Sequence, residues 1–277
     1  MDEVIINKKD RITIVTINRP NVRNAVNYKT SKMLENAMEE FNSDNEQHVC
    51  IITGNCGNFS SGADLSDAEK MSGEVLNKNG PMGFTRMFFQ KPLIAAIEGY
   101  CVAGGLEMAL SADIRISGKD AKFGFLERRF GVPLIDGGTQ RLPKIIGVGR
   151  ALDMILTGKL ISADEAYKIG LVNYITDNGK ALEKAIEIAK IMDSYPWDTL
   201  INDRLSLYNG LYESLNKGLR IEAEFGKKTI DGGAVRMVQK NLFQVTGDMA
   251  KWIKIIIYNY SLSLIPAEYS PSAMLFE

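Results

Sequence analysis

Glu107 stands in the stretch GGLEMAL, a single carboxylate among Leu106, Met108, Ala109 and Leu110, immediately after the pair Gly104–Gly105. Neighbours of this kind imply burial, and burial penalises a charged carboxylate unless it finds partners or shifts its pKa. A glycine pair that opens a helix presents first-turn N–H groups with no intrahelical partner, at the positive end of the helix dipole. The stretch FSSGADL offers a second such corner, where Gly62 permits a tight turn and Ala63 leaves its N–H unshielded. Two corners facing each other make an oxyanion hole, two donors aimed at one developing negative oxygen. A third corner, FGFLERRFGVPLIDGGTQRL, holds Glu127 and Asp136. Taken singly, these features have plainer readings. Gly-Gly before a helix serves as a turn, Glu127 reads as a surface carboxylate paired with Arg128 or Arg129, and Asp136 reads as a helix cap.

The residue inventory narrows the chemistry. One histidine, His48, precedes the apolar run VCII and reads as a structural residue at a strand entry. Without a second histidine a His-clustered zinc site is excluded, and a Ser-His-Asp triad would have to use His48 itself. Acid–base work therefore falls to carboxylates, or to Lys, Tyr or Cys. Cys50, Cys56 and Cys101 show no CxxC spacing and read as reduced thiols of a cytoplasmic protein. The 33 basic and 34 acidic residues nearly cancel, so no global field points to nucleic acid or to an anionic membrane. No apolar run reaches the length of a membrane span, and Met1-Asp2-Glu3 lacks the basic opening of a secretory leader.

The elements that must position these residues alternate strand and helix. Residues 3–8 and 11–18 read as strands, 28–43 as a helix with Met33, Leu34, Ala37, Met38 and Phe41 on one stripe, and HVCIITG as a buried strand. KPLIAAIEG, IRISG, AKFGF and LVNYI read as further strands. Helices are expected after Gly104, after Asp136 (with Asp136 or Thr139 as cap), through RALDMILTG, and over 178–192. Ser162 and Glu165 form a capping box ahead of AYKIG. The pattern predicts an α/β fold of repeated ββα units over residues 1–195. Strands cease beyond Pro196, so 196–277 reads as a C-terminal helical segment, with an atypical tail over 251–277.

These motifs, in this order, resemble the crotonase (enoyl-CoA hydratase/isomerase) superfamily. The resemblance is carried by NRPNVRNAVN, GADL, KPLIAAIEGYCVAGG, GGLEMALSADIRI, FGFLERRFGV, GGTQRLPKIIG and ALDMILTGKLISADEAYKIGLVN, and spans residues 3 to about 230. It implies a crotonase-like β/α spiral that binds acyl-CoA thioesters as a homotrimer or dimer of trimers. No metal and no cofactor beyond the coenzyme A of the substrate is implied. The backbone N–H groups of Ala63 and Gly104 would form the oxyanion hole. Glu107 and Glu127 would hold the water that adds across the 2,3 double bond of an enoyl-CoA. Val22, Arg23 and Ala25, with Asp64 and Leu65, correspond to the CoA-contact region.

Two departures stand out. Many hydratases of this family carry a small residue where this chain has Asp136, whereas the related dienoyl-CoA isomerases carry an aspartate in a context that DGGT resembles. Those isomerases also replace the residue matching Glu107 by aspartate. The resemblance thus implies a hydratase, with isomerisation through Glu127 and Asp136 as the alternative. RNA binding by a family relative would need a basic face, but helix 28–43 sets Lys29 and Lys32 against Glu35, Glu39 and Glu40. The C-terminal stretch from MVQKNLF onward matches nothing in the family pattern.

Overall fold

The computed structural model describes residues 2–233; the tail 251–277 singled out above lies outside them. The chain divides into two compact units, one of residues 1–195 and one from Pro196 onward.

In the first unit, β1 (Val4–Lys9) and β2 (Ile12–Ile17) form an antiparallel hairpin with Lys9 opposite Ile12. Asp10 sits in the left-handed region (φ 56°) that so short a turn requires. Helix α1 (Tyr28–Ser43) follows, started by Asn27, whose side chain accepts the Thr30 N–H. Its buried stripe of Leu34, Ala37, Met38 and Phe41 agrees with the expected spacing except for Met33, which is only partly buried. Strands β3 (Val49–Gly54) and β4 (Leu93–Ile97) are apolar and buried throughout their interiors, as central strands covered on both faces must be. Between them, α2 (Ala68–Gly73) falls in the polar segment after the GADL corner.

The remaining elements of the first unit are β5 (Tyr100–Val102), α3 (Gly104–Ala109), β6 (Ile114–Gly118), β7 (Lys122–Gly124), α4 (Gly138–Ile146), α5 (Val148–Thr157), β8 (Ile161–Ser162), α6 (Ala163–Lys168), β9 (Tyr174–Thr176) and α7 (Ala181–Asp193). Among the described residues the strands make a six-stranded sheet, β1-β2-β3-β4-β6-β9, parallel beyond the first hairpin. A second sheet, β5-β7-β8, carries the short strands that lead into the functional corners. The capping box forms as expected, with Ser162 Oγ accepting the Glu165 N–H.

Two expectations shift. LVNYI is strand only from Tyr174, because the N–H groups of Leu171 and Val172 both donate to the Ala166 carbonyl and so close α6. The cap of α4 is Gly137 (φ 107°), and neither Asp136 nor Thr139 caps it with a side chain. His48 is structural, as expected: its Nδ1 lies 2.6 Å from Asp193 Oδ1, tying the entry of β3 to the last residue of α7.

In the second unit, α8 (Trp197–Gly210) and α9 (Leu215–Asp231) pair, with Asn202 Nδ2 donating to Thr229 Oγ1 at 2.8 Å inside the pair.

Candidate active site

The first corner lies between β5 and α3. Ala103 adopts φ 55°, ψ −138°, a conformation that costs an alanine on the order of 1–3 kcal/mol and persists only where the surroundings enforce it. They do so here through three bonds: the Ala103 N–H donates to Gly124 of β7 at 2.9 Å, and its carbonyl accepts the Leu106 and Glu107 N–H groups. The result is a sharp strand-to-helix turn that brings the Gly104 N–H to the head of α3. Ala103 was not singled out from the sequence, and its only signal there was a small residue wedged between a strand and Gly-Gly.

The second corner packs directly on the first. Ser60 Oγ holds the Gly62 N–H, and the Gly62 carbonyl accepts the Val26 N–H. Gly62 (φ 91°) approaches so closely that a Cβ there would sit 2.7 Å from Ala103 Cβ and 2.8 Å from Gly104 N. A Cβ on Gly104 would in turn lie 3.6 Å from Ala63 N. Among the described residues, neither the Ala63 nor the Gly104 N–H donates to an intramolecular acceptor. Two partnerless amides thus stand side by side, and both residues line a cavity of about 680 Å³.

Glu107, Glu127 and Asp136 share that cavity with Asp64. Glu107 is only 2% exposed. Its Oε1 accepts the N–H of Asp136 at 2.9 Å and of Gly138 at 2.8 Å, so it sits at the N-terminus of α4, where the dipole favours an anion. Its Oε2 accepts no hydrogen bond from the described residues. Burial, then the neighbouring Asp136 charge, raises its pKa to about 8 against the pull of those two N–H donors. Glu127, 6% exposed on a single turn of 3-10 helix, has no hydrogen-bond partner at either oxygen among the described residues. Burial raises it to about 7. The plain reading of Glu127 as a surface carboxylate is therefore wrong, because the chain folds its side chain inward away from solvent. Asp136, 1% exposed, accepts the Met82 N–H at 3.0 Å and a short bond from Thr85 Oγ1, both at Oδ1. Burial raises its pKa too.

Arg23, Asp64 and Leu65 join the cavity wall, whereas Val22 and Ala25 do not line it. Arg23, itself left-handed (φ 51°), lays its guanidinium 5.1 Å from the centre of the Tyr100 ring. Asp64 is occupied by Arg19 Nη1 at 2.8 Å and by Ser66. Thr85 and Arg86, beside Asp136, carried no motif in the sequence and were missed, and Arg141, within GGTQRL, was not singled out. Among the described residues no group of three or more His, Cys, Asp or Glu is arranged to hold a metal ion, and no helix is long and apolar enough to cross a membrane.

A stability prediction follows from the two buried glutamates. A carboxyl group whose folded pKa is raised binds more protons in the folded than in the unfolded chain, so stability falls as pH rises through that window. For Glu107 the window runs from 4.5 to about 8. Relative to the unsubstituted protein, Glu107→Gln should gain melting temperature between pH 5 and pH 8.5 in calorimetry, by a few degrees. A difference that does not grow with pH would contradict the buried, raised carboxyl.

The sequence model of the family described as enoyl-CoA hydratase/isomerase matches residues 7–242. The 2,3-dehydroadipyl-CoA hydratase of Escherichia coli (strain K12) is 39% identical over 194 residues, covering 69% of this chain and 76% of that protein. The short-chain-enoyl-CoA hydratase of Clostridium acetobutylicum is 37% identical over 235 residues, covering 82% and 89%. Among solved structures, an enoyl-CoA hydratase from Mycobacterium tuberculosis H37Rv superposes with a TM-score of 0.77 at 35% identity, covering 80% of this chain and 88% of that one. The chain belongs to the enoyl-CoA hydratase/isomerase family and is an enzyme of the crotonase superfamily, with the fold of that group.

Proposed function

We propose that this protein hydrates 2-enoyl-CoA thioesters, adding water across the 2,3 double bond, and catalyses the reverse dehydration. The observation that carries this reading is the placement of two partnerless amides and two buried glutamates on one cavity. The Ala63 and Gly104 N–H groups receive the thioester oxygen and stabilise the negative charge it acquires as C3 is attacked. Their worth is high because the wall around them is apolar, with Leu65, Met71, Val102, Leu126 and Ile135 contributing. The same wall supports a hydrocarbon acyl group.

Water is added by the glutamate pair. The two titrate together and hold one proton between them near neutral pH; the two N–H donors on Glu107 Oε1 draw the negative charge there and leave the proton on Glu127, which has none. Glu107, pinned at Oε1 by two N–H groups, directs Oε2 and takes the proton of the attacking water. Glu127, with no donor on either oxygen, carries the proton that is delivered to C2. The water oxygen bonds to C3 as the C2–C3 π pair moves toward the thioester oxygen, and the enolate collapses as C2 is protonated. Arg23 at the cavity wall supplies a cation for the CoA phosphates, with Asp64 and Leu65 beside it. Coenzyme A enters as part of the substrate, and no other cofactor takes part. We expect a trimeric or hexameric assembly, readable by sedimentation equilibrium.

The test is direct. Adding the enzyme to crotonyl-CoA should lower the enoyl absorbance to a steady equilibrium value. The rate should follow a bell in pH with limbs near about 7 and about 8, falling on the acid side when both glutamates are protonated and on the basic side when both are ionised. Absence of turnover, or a rate that climbs steadily with pH, would refute the two-glutamate scheme.

A further inference from the structure

The hydratase scheme gives no step to Asp136, yet this residue is buried in the wall of the same cavity. We propose that Asp136 is a positioning residue, a strap whose main chain holds Glu107 and whose side chain holds the Met82 segment against the Gly104 corner, so that the acid–base pair and the oxyanion donors keep one relative geometry. The proposal rests on the hydratase reading of the site.

Three contacts make the strap. The Asp136 N–H donates to Glu107 Oε1 at 2.9 Å, which fixes one end. At the other end, Asp136 Oδ1 accepts the Met82 N–H at 3.0 Å and the Thr85 hydroxyl. Met82 then carries the connection onward, since a Cβ on Gly104 would meet Met82 Cε at 2.5 Å. One residue therefore spans from the carboxylate that handles the proton to the glycine that presents an oxyanion donor.

The surroundings reinforce the same connection. Arg86 Nη2 donates to the Ile135 carbonyl at 2.8 Å, and its Nη1 to the Asn77 carbonyl at 2.7 Å. Arg141 Nη1 donates to the Asp136 carbonyl at 3.1 Å while its Nη2 bonds the Thr85 carbonyl. Two guanidinium groups thus fasten the segment 77–86 to residues 135–136 through main-chain oxygens. Gly80 (φ 87°) leaves the room this requires, because a Cβ there would fall 2.2 Å from Thr85 Oγ1 and 3.0 Å from Asp136 Oδ1. A small residue at position 136 would lack the side-chain half of the strap.

The charged groups around Asp136 are Glu107 on α3, Glu127 on its 3-10 turn with Arg128 beside it, Arg86 and Arg141. The Asp136 charge opposes ionisation of Glu107. Asp136→Asn keeps an oxygen for Met82 and Thr85 but removes that charge; Asp136→Ala removes both.

Crotonyl-CoA hydration and amide hydrogen exchange, measured on the full chain for both variants, test this. Asp136→Ala should lose about 10²-fold in kcat, with KM moving far less, since misplacement of a reacting group by about 1 Å has that effect. Exchange should quicken over residues 80–86 and over 103–107. Asp136→Asn should stay within about tenfold of the unsubstituted enzyme at its own optimum and keep slow exchange, while both limbs of its pH profile move to lower pH, the acid limb through Glu107 and the basic limb through Glu127, because the Asp136 charge that opposes ionisation of each is gone. If Asp136→Ala does not fold, Gly80→Ala, which displaces Thr85, takes its place in the exchange and kcat measurements. An Asp136→Ala enzyme with full kcat overturns the proposal, as does a basic limb that stays put in Asp136→Asn. Loss of more than about 10²-fold in Asp136→Asn with exchange unchanged makes Asp136 itself a proton carrier and also overturns it. Failure of the unsubstituted enzyme to hydrate crotonyl-CoA refutes the hydratase reading, while the exchange data still decide whether the strap exists.

Discussion

Replacing Glu107 or Glu127 by glutamine should lower kcat for crotonyl-CoA hydration by about 10²–10⁴-fold, the usual contribution of a positioned proton donor or acceptor. The fold should survive both changes. In Glu107→Gln the amide oxygen can still accept the Asp136 and Gly138 N–H groups, so the N-terminus of α4 keeps its partner. In Glu127→Gln no hydrogen bond is broken, because neither carboxylate oxygen has a partner among the described residues. KM should change little, since the thioester oxygen, CoA and acyl chain meet other residues. The double variant should be scarcely slower than the slower single one, because the two groups move a proton as a unit and removing either ends the cycle. Full turnover in either single variant would refute the assignment. Each variant should also lose its part of the pH bell, which separates a lost proton carrier from general damage.

Gly62→Ala should be the most damaging single change outside the carboxylates. The added methyl would lie 2.7 Å from Ala103 Cβ and 2.8 Å from Gly104 N, and the backbone would hold φ 91°, which alanine resists. Neither side can yield cheaply. Ala103 is tied to Gly124, and Gly62 is tied through Ser60 and Val26. The two oxyanion donors must then separate, and loss of one such donor costs about 10²–10³-fold in kcat. Melting temperature should fall as well. Gly57→Ala is the matched control: it too has positive φ (76°), but a Cβ there meets nothing within 4 Å. It should share the backbone strain and leave kcat within about twofold. If the two variants have equal kcat, the corners do not form the oxyanion hole.

Much of the local structure is written in neighbouring residues. Asn27 ahead of Tyr28, Ser162 three residues before Glu165, and the unbroken apolar runs of β3 and β4 specify their elements through contacts a few residues long. The motif order carried the family and hence the fold. The positive-φ glycine of GAD and the helix-opening glycines of AGG were legible for the same reason, since their demands are on their own backbone.

The site itself was decided by the tertiary structure, because its properties belong to pairs of residues far apart in the chain. Asp136 looked like a cap for α4, but the charge at that helix start is the Glu107 carboxylate, 31 residues before the Gly138 N–H it accepts. Glu127 stands before Arg128 and Arg129, and only the turn of the chain around β7 and α4 takes its carboxyl away from water. The raised pKa values follow from that burial and, for the two glutamates, from the neighbouring Asp136 charge. Residue types and spacing thus determined which groups were available and which corners could present an amide. Desolvation and long-range hydrogen bonds determined which of them share a proton, which face a developing charge, and which hold the others in place.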